Sequence, residues 1–228
     1  MNSGREAKLR PKEDTNGSLS LAVFGYTGAK VEGIEHFSLL PYRIIKDLNA
    51  ANSIWRTTCG SRGIKFNAIY SNYIDSTHKN TETLEGQDIE GLIREERRYY
   101  SSADVYVLYI GGNALTKLRG PMEIAHSGTR KIDDKTSYFI IMSDGAYGRI
   151  ENGARVGNDY TLAHELGHTM YFTNYYGDIK DPKPNVGKIL SNGEIPIISE
   201  EQIKKALQII FFKNNVKITV NVYIGWEC

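Results

Sequence analysis

Residues 161–173 read TLAHELGHTMYFT and contain His164, Glu165 and His168 in the pattern H-E-x-x-H. Residues four apart lie on one face of a helix, so both imidazoles can point at the same ion while Glu165 lies one position round. Hydrolytic zinc needs two neutral nitrogen ligands of this kind, a third protein ligand, and an open position for a water. The stretch therefore predicts a zinc helix in which Glu165 is the base that takes a proton from that water.

The residues around the motif predict that this helix is buried. The positions between and beside the motif residues are apolar or small: Leu162, Ala163, Leu166, Gly167 and Met170. Asn158 or Asp159 is placed to cap the start of the helix. The alternative is an exposed polar helix that carries two unrelated histidines. Because paired imidazoles in a buried helix need a partner, the pattern favours the metal.

Composition limits the classes of function that the chain can serve. Its 228 residues are 40% hydrophobic and 24% charged, which is enough for one domain with a sizeable core or for two small lobes. The net charge of +1 argues against nucleic acid or an anionic membrane as the main partner. No apolar run reaches the length of a membrane span, and we find no secretory signal in this chain. A cytoplasmic protein, a trimmed chain and export by a route that needs no leader are all consistent with this.

The first third of the chain predicts a strand, helix, strand unit after a polar tail. Residues 1–18 are polar and are expected to form a flexible tail. A strand is predicted over residues 19–26 and a helix over residues 41–59, where apolar residues follow helical spacing. Residues 64–70 alternate as in a half-buried strand.

The middle of the chain predicts more of the sheet. Residues 87–100 form an amphipathic helix, within which residues 95–98 are expected to be a solvated charged face. The apolar run 105–110 is predicted to be a central strand, and residues 138–142 another, after a long polar connection. An edge strand near residues 122–125 is one interpretation of that connection. It matters because a protease commonly binds its substrate as an added strand along such an edge.

The remaining segments surround the motif helix. Residues 144–157 are read as a Gly-rich loop, and residues 174–197 as irregular. Ser199 and Gln202 form a capping box that opens a further helix. Residues 216–224 alternate strictly and predict a late strand.

With these elements in order, the chain resembles the metzincin class of zinc endopeptidases, and among them the reprolysin-like bacterial members. The local matches are ANSIWRTTCGSRGIKF at 51–66, SADVYVLYIGG at 102–112, KTSYFIIMSDG at 135–145 and YTLAHELGHTM at 160–170. The resemblance covers about residues 20 to 212. It implies an α+β fold with a twisted mixed sheet, helices packed on it and an active-site helix. It also implies one catalytic domain over residues 19–228, with an upper lobe to about 173, a small C-terminal subdomain from about 174, and a cleft for an extended peptide.

The chain departs from this family at the third zinc ligand. Metzincins extend the motif to H-E-x-x-H-x-x-G-x-x-H or Asp, but here Tyr171 stands at the Gly position and Asn174 at the last ligand position. No histidine follows the motif, since the five are His36, His78, His126, His164 and His168. Asp178, which follows a glycine, is the favoured third ligand because its carboxylate suits zinc better than an amide oxygen does. The alternatives are Asn174, a downstream glutamate (Glu200 or Glu201) and Asp181.

His126 is expected to be a surface or core histidine rather than a ligand. The methionine turn that the family places beneath the metal is matched only by NVGKILS, with Leu190 in place of Met.

The two cysteines, Cys59 and Cys228, have two interpretations. As free thiols they would be ordinary buried residues of a reducing compartment. The resemblance implies instead a bridge from the upper lobe to the C-terminus, which would place the protein outside the cell or in the periplasm.

The leading hypothesis is a zinc metalloendopeptidase that acts on a protein or peptide substrate. A compact catalytic domain of this kind would suit a toxin or effector module, with an inhibitor or immunity protein as a further partner. Two alternatives remain: a zincin-fold binding module that has lost catalysis, and a glutamate-type zincin peptidase completed by Glu200 or Glu201.

Overall fold

The computed structural model describes part of the 228-residue chain, namely residues 17–29, 40–55, 63–74, 79–121, 123–147, 149–151, 154–156 and 161–171. Within it, five strands form one sheet in the order β2-β1-β3-β5-β4. The strands are β1 Gly17–Tyr26, β2 Ile64–Ile74, β3 Val105–Tyr109, β4 Ala125–Ile132 and β5 Lys135–Met142. β1 pairs in parallel with β2 and β3, β3 pairs in parallel with β5, and β4 runs antiparallel to β5 at one edge.

Three helices cover the two faces of this sheet. They are α1 Leu40–Ile54, α2 Gly86–Tyr99 and α3 Thr161–Tyr171. One buried cluster joins α1 and α3 to one face, and a second joins α2 to the other. The strand β3 is buried on both faces, as its continuous apolar sequence predicts. The predicted α+β class with a mixed sheet and packed helices is therefore confirmed, and the arrangement is compatible with a zincin-like fold.

The strand β2 differs from the prediction for residues 64–70 in length and in the direction of its side chains. Its pairing with β1 shifts between Leu21 and Ala22, so Ile69 is an extra residue, or bulge, in the ladder. A bulge of one residue reverses the alternation of faces. Phe66 accordingly packs in the α1 and α3 cluster, whereas Tyr70 packs against the α2 cluster. The regular alternation read from the sequence was wrong beyond Ala68.

The helix α1 ends at Ile54, five residues before the predicted end. The next residue, Trp55, offers its carbonyl to the amide of Ile64 at 2.7 Å, which starts β2 instead of another turn of helix. Ile45, which was predicted to belong to the apolar stripe, is 58% exposed. The buried positions include Arg43 instead, because a cluster of charges packs beneath this helix.

That cluster joins α1 to the ends of two central strands. Arg43 donates to the carbonyl of Ser143 at 2.6 Å and lies 3.8 Å from Asp47 and 3.7 Å from Asp144. Tyr109 donates its hydroxyl hydrogen to Asp47 at 3.0 Å. A buried charge is tolerated only when it is paired and hydrogen-bonded in this way. The cluster therefore fixes α1 against the segment that follows β5.

The helix α2 matches its prediction closely, except at Glu96. Residues 95–98 were expected to form a solvated face, but Glu96 is fully buried. It accepts a hydrogen bond from the hydroxyl of Tyr26, which reaches across from β1. The prediction for this position was wrong because helical periodicity cannot show that a polar partner, here Tyr26, lies in the core.

The segment before the motif helix is more regular than predicted. The polar connection ahead of residue 138 is mostly the β4–β5 hairpin, whose turn residues Asp133 and Asp134 have φ of 48° and 63°. The predicted edge strand therefore exists, but it begins at Ala125 and runs on to Ile132. The predicted loop 144–157 holds a 3₁₀ turn, Asp144–Tyr147, and a small hairpin of β6 Arg149–Glu151 and β7 Ala154–Val156.

Several predictions fall outside the described residues. They are the helix from Ser199, the strand 216–224, the lower lobe from about 174, and all but the last two residues of the tail 1–18. In the part of the chain that the structure describes, no helix has the length and apolar character needed to cross a membrane.

Candidate metal centre

The helix α3 carries the H-E-x-x-H motif and is buried, as its sequence predicts. Leu162, Ala163, Leu166 and Met170 are each at most 1% exposed and belong to the core between α1 and the sheet. The helix packs against α1 on one side and against β4 and β5 on the other. The motif residues are therefore held between a helix and the edge of the sheet.

The two histidines of the motif converge. His164 Nε2 and His168 Nε2 lie 2.9 Å apart, and the ring planes are nearly perpendicular at 86°. Both side chains are partly exposed, in contrast to the apolar residues that surround them. Two imidazole nitrogens at this spacing can both reach one ion at the usual Zn–N distance of about 2.0–2.1 Å.

The protonation state of His168 also suits a metal ligand. Burial, assisted by the nearby His164, lowers the pKa of His168 to about 4. The ring is therefore neutral at physiological pH, which is the form that binds zinc. The geometry of the pair and the neutral ring of His168 both fit a metal ion.

The described residues do not complete the site. Among them, no group of three or more His, Cys, Asp or Glu side chains could hold a metal. The third-ligand candidates Asn174, Asp178, Asp181, Glu200 and Glu201 all lie outside the described residues, as do Leu190, Cys59 and Cys228. The predicted third ligand and the predicted bridge therefore stay predictions.

Glu165, the predicted base, lies one position along the helix from His164 and is buried. Its side chain is 8% exposed, and burial raises the pKa of its carboxyl. The hydroxyl and the backbone amide of Ser127 act in the opposite direction, as does His164, because they favour the ionised form. The carboxylate of Glu123 adds to the rise in the pKa. A raised pKa brings a carboxylate closer to the range in which a general base works efficiently.

Ser127 links Glu165 to the outer edge of β4, the last strand of the sheet among the described residues. The amide of Ser143 donates to the carbonyl of Ile124 at 3.1 Å, which makes this pair a hydrogen-bonded one. Hydrogen-bonded pairs alternate along an antiparallel ladder, so the even-numbered residues of β4 bond to β5. The odd-numbered residues, among them Ser127, direct their amide and carbonyl groups away from the sheet. Glu165 therefore stands at the edge where an added strand would pair.

Trp55 positions the motif helix from the side of α1. Its indole nitrogen donates to the carbonyl of Ala163 at 2.9 Å, and its ring is fully buried. A Cβ at Gly167 would lie only 3.0 Å from Cζ2 of this ring. The glycine inside the motif is thus explained by the close approach of Trp55.

The sequence indicated neither Ser127 nor the role of Trp55. Ser127 lies in a polar segment and carries no motif. Trp55 was predicted only as part of the buried stripe of α1. The one available signal was the glycine at position 167, because a glycine inside a helix often marks a close contact.

His126, which was expected to be a surface or core histidine rather than a ligand, lies on β4. Its ring packs edge-on against Phe139, at 5.7 Å between centroids, within the cluster on the α2 side of the sheet. Ser127 faces α3 on the opposite side. His168 is nevertheless near enough for its charge to contribute to the lowering of the pKa of His126.

The chain was also compared with known families, curated proteins and solved structures. No family model matches it, and no curated protein matches it. Among solved structures it is similar to metalloproteinase-II from Bacteroides fragilis, with 14% identity and a TM-score of 0.47. The alignment covers 88% of this chain and 55% of that one, so the chain spans about half the length of that protein.

Proposed function

We propose that this protein is a zinc-dependent metalloendopeptidase. The observation that carries the proposal is the pair of imidazole nitrogens 2.9 Å apart on a buried helix, with the carboxyl group of Glu165 beside the outward edge of β4. A pair of histidine ligands alone would fit many kinds of metalloprotein. A buried carboxylate next to a sheet edge that no described strand pairs with is what the hydrolysis of an extended peptide requires.

Each side chain has a distinct role in this proposal. His164 and His168 hold the zinc ion together with a third ligand, for which Asp178 is the favoured candidate. Bound zinc would supply Lewis-acid chemistry, since it lowers the pKa of a water and polarises a carbonyl. Glu165 takes the proton of the attacking water and passes it to the amine nitrogen that leaves. Ser127 holds the carboxylate of Glu165 at the edge, and Trp55 holds the helix.

The substrate in this proposal is a protein or peptide that binds as an extended strand along β4. Ala125 and Lys131 offer their amide and carbonyl groups on the side away from β5, as do the carbonyl of Ser127 and the amide of Thr129. The amide of Ser127 is already bonded to Glu165, and the carbonyl of Thr129 accepts a hydrogen bond from Arg130. Main-chain hydrogen bonds of this kind hold a peptide without reading its sequence. The proposal extends to a secreted or delivered effector or toxin, with an inhibitor or immunity protein as a partner, on the sequence considerations alone.

The test measures zinc by elemental analysis and casein cleavage on the same samples of the full chain. We expect one equivalent of zinc and cleavage in the unmodified protein. Glu165→Gln should keep the zinc and lose cleavage, because Gln cannot accept the proton. His168→Ala should lose both, and His126→Ala is the matched control that should keep its zinc.

Three results discriminate among the alternatives. A protein that takes up no zinc even after loading would contradict the proposal and favour the binding module. Zinc retained in Asp178→Ala would move the third ligand to Asn174, Asp181 or one of the glutamates, Glu200 and Glu201. Cleavage by Glu165→Gln at the unmodified rate would remove Glu165 from the mechanism.

A further inference from the structure

A pair of basic side chains stands on the face of β4 that is turned away from α3. A guanidinium nitrogen of Arg119 lies 3.1 Å from His126 Nε2. A guanidinium only donates hydrogen bonds, so this nitrogen of His126 must be the acceptor and the ring must be neutral. Burial, together with Arg119 and Arg130, lowers the pKa of His126 to about 4, which agrees with that assignment. His126 thus fixes the position of Arg119 without adding a charge.

A second arginine extends the row along the same face. Arg130 lies over the ring of Phe139, with its guanidinium carbon 5.6 Å from the centroid, and His126 meets the same ring. Gly128 makes this possible, since a Cβ there would lie 2.9 Å from Cζ of Phe139. His126, Gly128 and Arg130 are alternate residues of the strand, so they share one face. The result is an aromatic ring with Arg130 over its face and His126, which holds Arg119, at its edge.

These cations are not neutralised by nearby acids. Within the described residues, neither Arg119 nor Arg130 forms an ion pair with a carboxylate, and Arg119 is exposed. Glu123, the acid nearest in sequence to Arg119, acts on the carboxyl of Glu165. Asp133, the acid nearest in sequence to Arg130, pairs with Arg94 at 2.6 Å. A positive charge held in place and open to solvent beside a binding edge favours an acidic partner.

We infer that Arg119 is a specificity-determining residue that binds an acidic side chain of a peptide paired along β4. The inference rests on the proposed function and names the class of substrate. Paired residues on neighbouring strands project their side chains to the same face. A peptide residue opposite Ser127 lies beside Glu165, so the next residue, opposite His126, projects toward Arg119. The acidic residue is therefore expected next to the position that faces Glu165.

The test uses the full chain and a set of matched peptides that differ only by Glu or Gln at one position, moved stepwise along the sequence. Two quantities are measured: kcat/KM of the active protein, and binding to the Glu165→Gln variant by fluorescence anisotropy. We expect Glu to be preferred over Gln at one position adjacent to the cleaved bond. The preference should be about two- to fivefold, the range for an ion pair exposed to solvent.

Three variants separate a specific contact from a general effect of charge. Arg119→Gln should abolish the preference, and Arg119→Glu should transfer it to the peptide with Lys at that position. Arg98→Gln, which removes an exposed arginine from α2, is the matched control and should leave the preference unchanged. Equal use of Glu and Gln at every position would overturn the inference, as would equal losses in the Arg119 and Arg98 variants.

The binding measurement keeps this inference separate from the proposed function. If no peptide is cleaved but the Glu peptide binds more tightly and Arg119→Gln removes that difference, the contact stands and the peptidase proposal fails. If every peptide is cleaved without preference, the peptidase proposal stands and the contact with Arg119 fails.

Discussion

The buried carboxyl of Glu96 gives the stability of this protein a specific dependence on pH. Glu96 is fully buried on the inner face of α2 and accepts a hydrogen bond from the hydroxyl of Tyr26. Its second oxygen, Oε2, has no hydrogen-bond partner among the described residues. Burial, reinforced by the charge of Glu95, raises the pKa of Glu96 to about 7, although Tyr26 and Lys79 oppose the rise. The folded protein therefore holds this proton more tightly than the unfolded chain does.

The sign and the size of the effect follow from that difference. The pKa of the group in the unfolded chain is near the ordinary value of 4.5. The stabilisation that comes from the bound proton is thus complete below about pH 4.5 and is lost as the pH rises through about 7. The pKa differs by about two and a half units between the folded and the unfolded chain, which corresponds to about 3 kcal/mol in the free energy of unfolding. Residual solvent screening reduces this to about 2–3 kcal/mol. For a chain of this length, that is a change in Tm of about 5–10 °C.

Glu96→Gln removes the titration while it keeps the shape and the acceptor for Tyr26. We expect the variant to match the unmodified protein at pH 4 and to exceed it by about 2–3 kcal/mol at pH 8. Urea unfolding at a series of pH values measures both curves, and Glu90→Gln on the exposed side of the same helix is the control. Because the other ionisable groups are common to both proteins, their contributions cancel. If the two curves stay parallel from pH 5 to pH 8, then Glu96 does not titrate as its burial requires.

Three further predictions concern packing and turns. Gly167→Ala should lower the free energy of unfolding by about 1–3 kcal/mol because the new Cβ would crowd Trp55. Gly91→Ala, at a helical position where a Cβ meets nothing, should raise it by up to about 1 kcal/mol. Thermal unfolding of both variants measures the difference. Trp55→Phe should lower the free energy of unfolding, measured in urea, by about 1–3 kcal/mol, since it removes the indole donor to the carbonyl of Ala163. A decrease below about 0.3 kcal/mol would show that this hydrogen bond does not stabilise the fold. Asp134→Gly should raise the free energy of unfolding by about 0.5–1 kcal/mol, and with it Tm, because glycine adopts the φ of 63° at this position without strain. A fall in Tm would mean that the exposed ion pair with Lys131 contributes more than the relief of the turn does.

Much of the fold could be predicted because its signals are local. The buried run at β3 and the apolar stripe of α2 each follow from the spacing of a few neighbouring residues. The convergence of the two motif histidines was predictable for the same reason, since His164 and His168 are four residues apart and any helix brings them together. The edge strand was only partly visible, because the polar sequence of β4 shows little of the pairing with β5 that forms it.

The errors share a physical cause as well. The bulge at Ile69 depends on how β2 pairs with β1, and nothing within β2 itself requires it. The burial of Arg43 and Glu96 depends on partners that lie far along the chain, at Ser143 and Tyr26 respectively. Periodicity treats a charged residue as exposed unless a partner is known, and partners are known only once the chain is folded.

The sequence by itself determined the helix that holds the candidate metal pair, the position of the candidate base on it, and the class of the fold, because each depends on contacts within one or two turns or on one strand. The tertiary structure alone decided what surrounds that helix. It placed Ser127 beside Glu165, Trp55 against Gly167, and Arg119 against His126 on the other face of the same strand. These pairs join elements whose approach is set by sheet order and by packing, and such long-range geometry leaves no periodic trace in the amino-acid sequence.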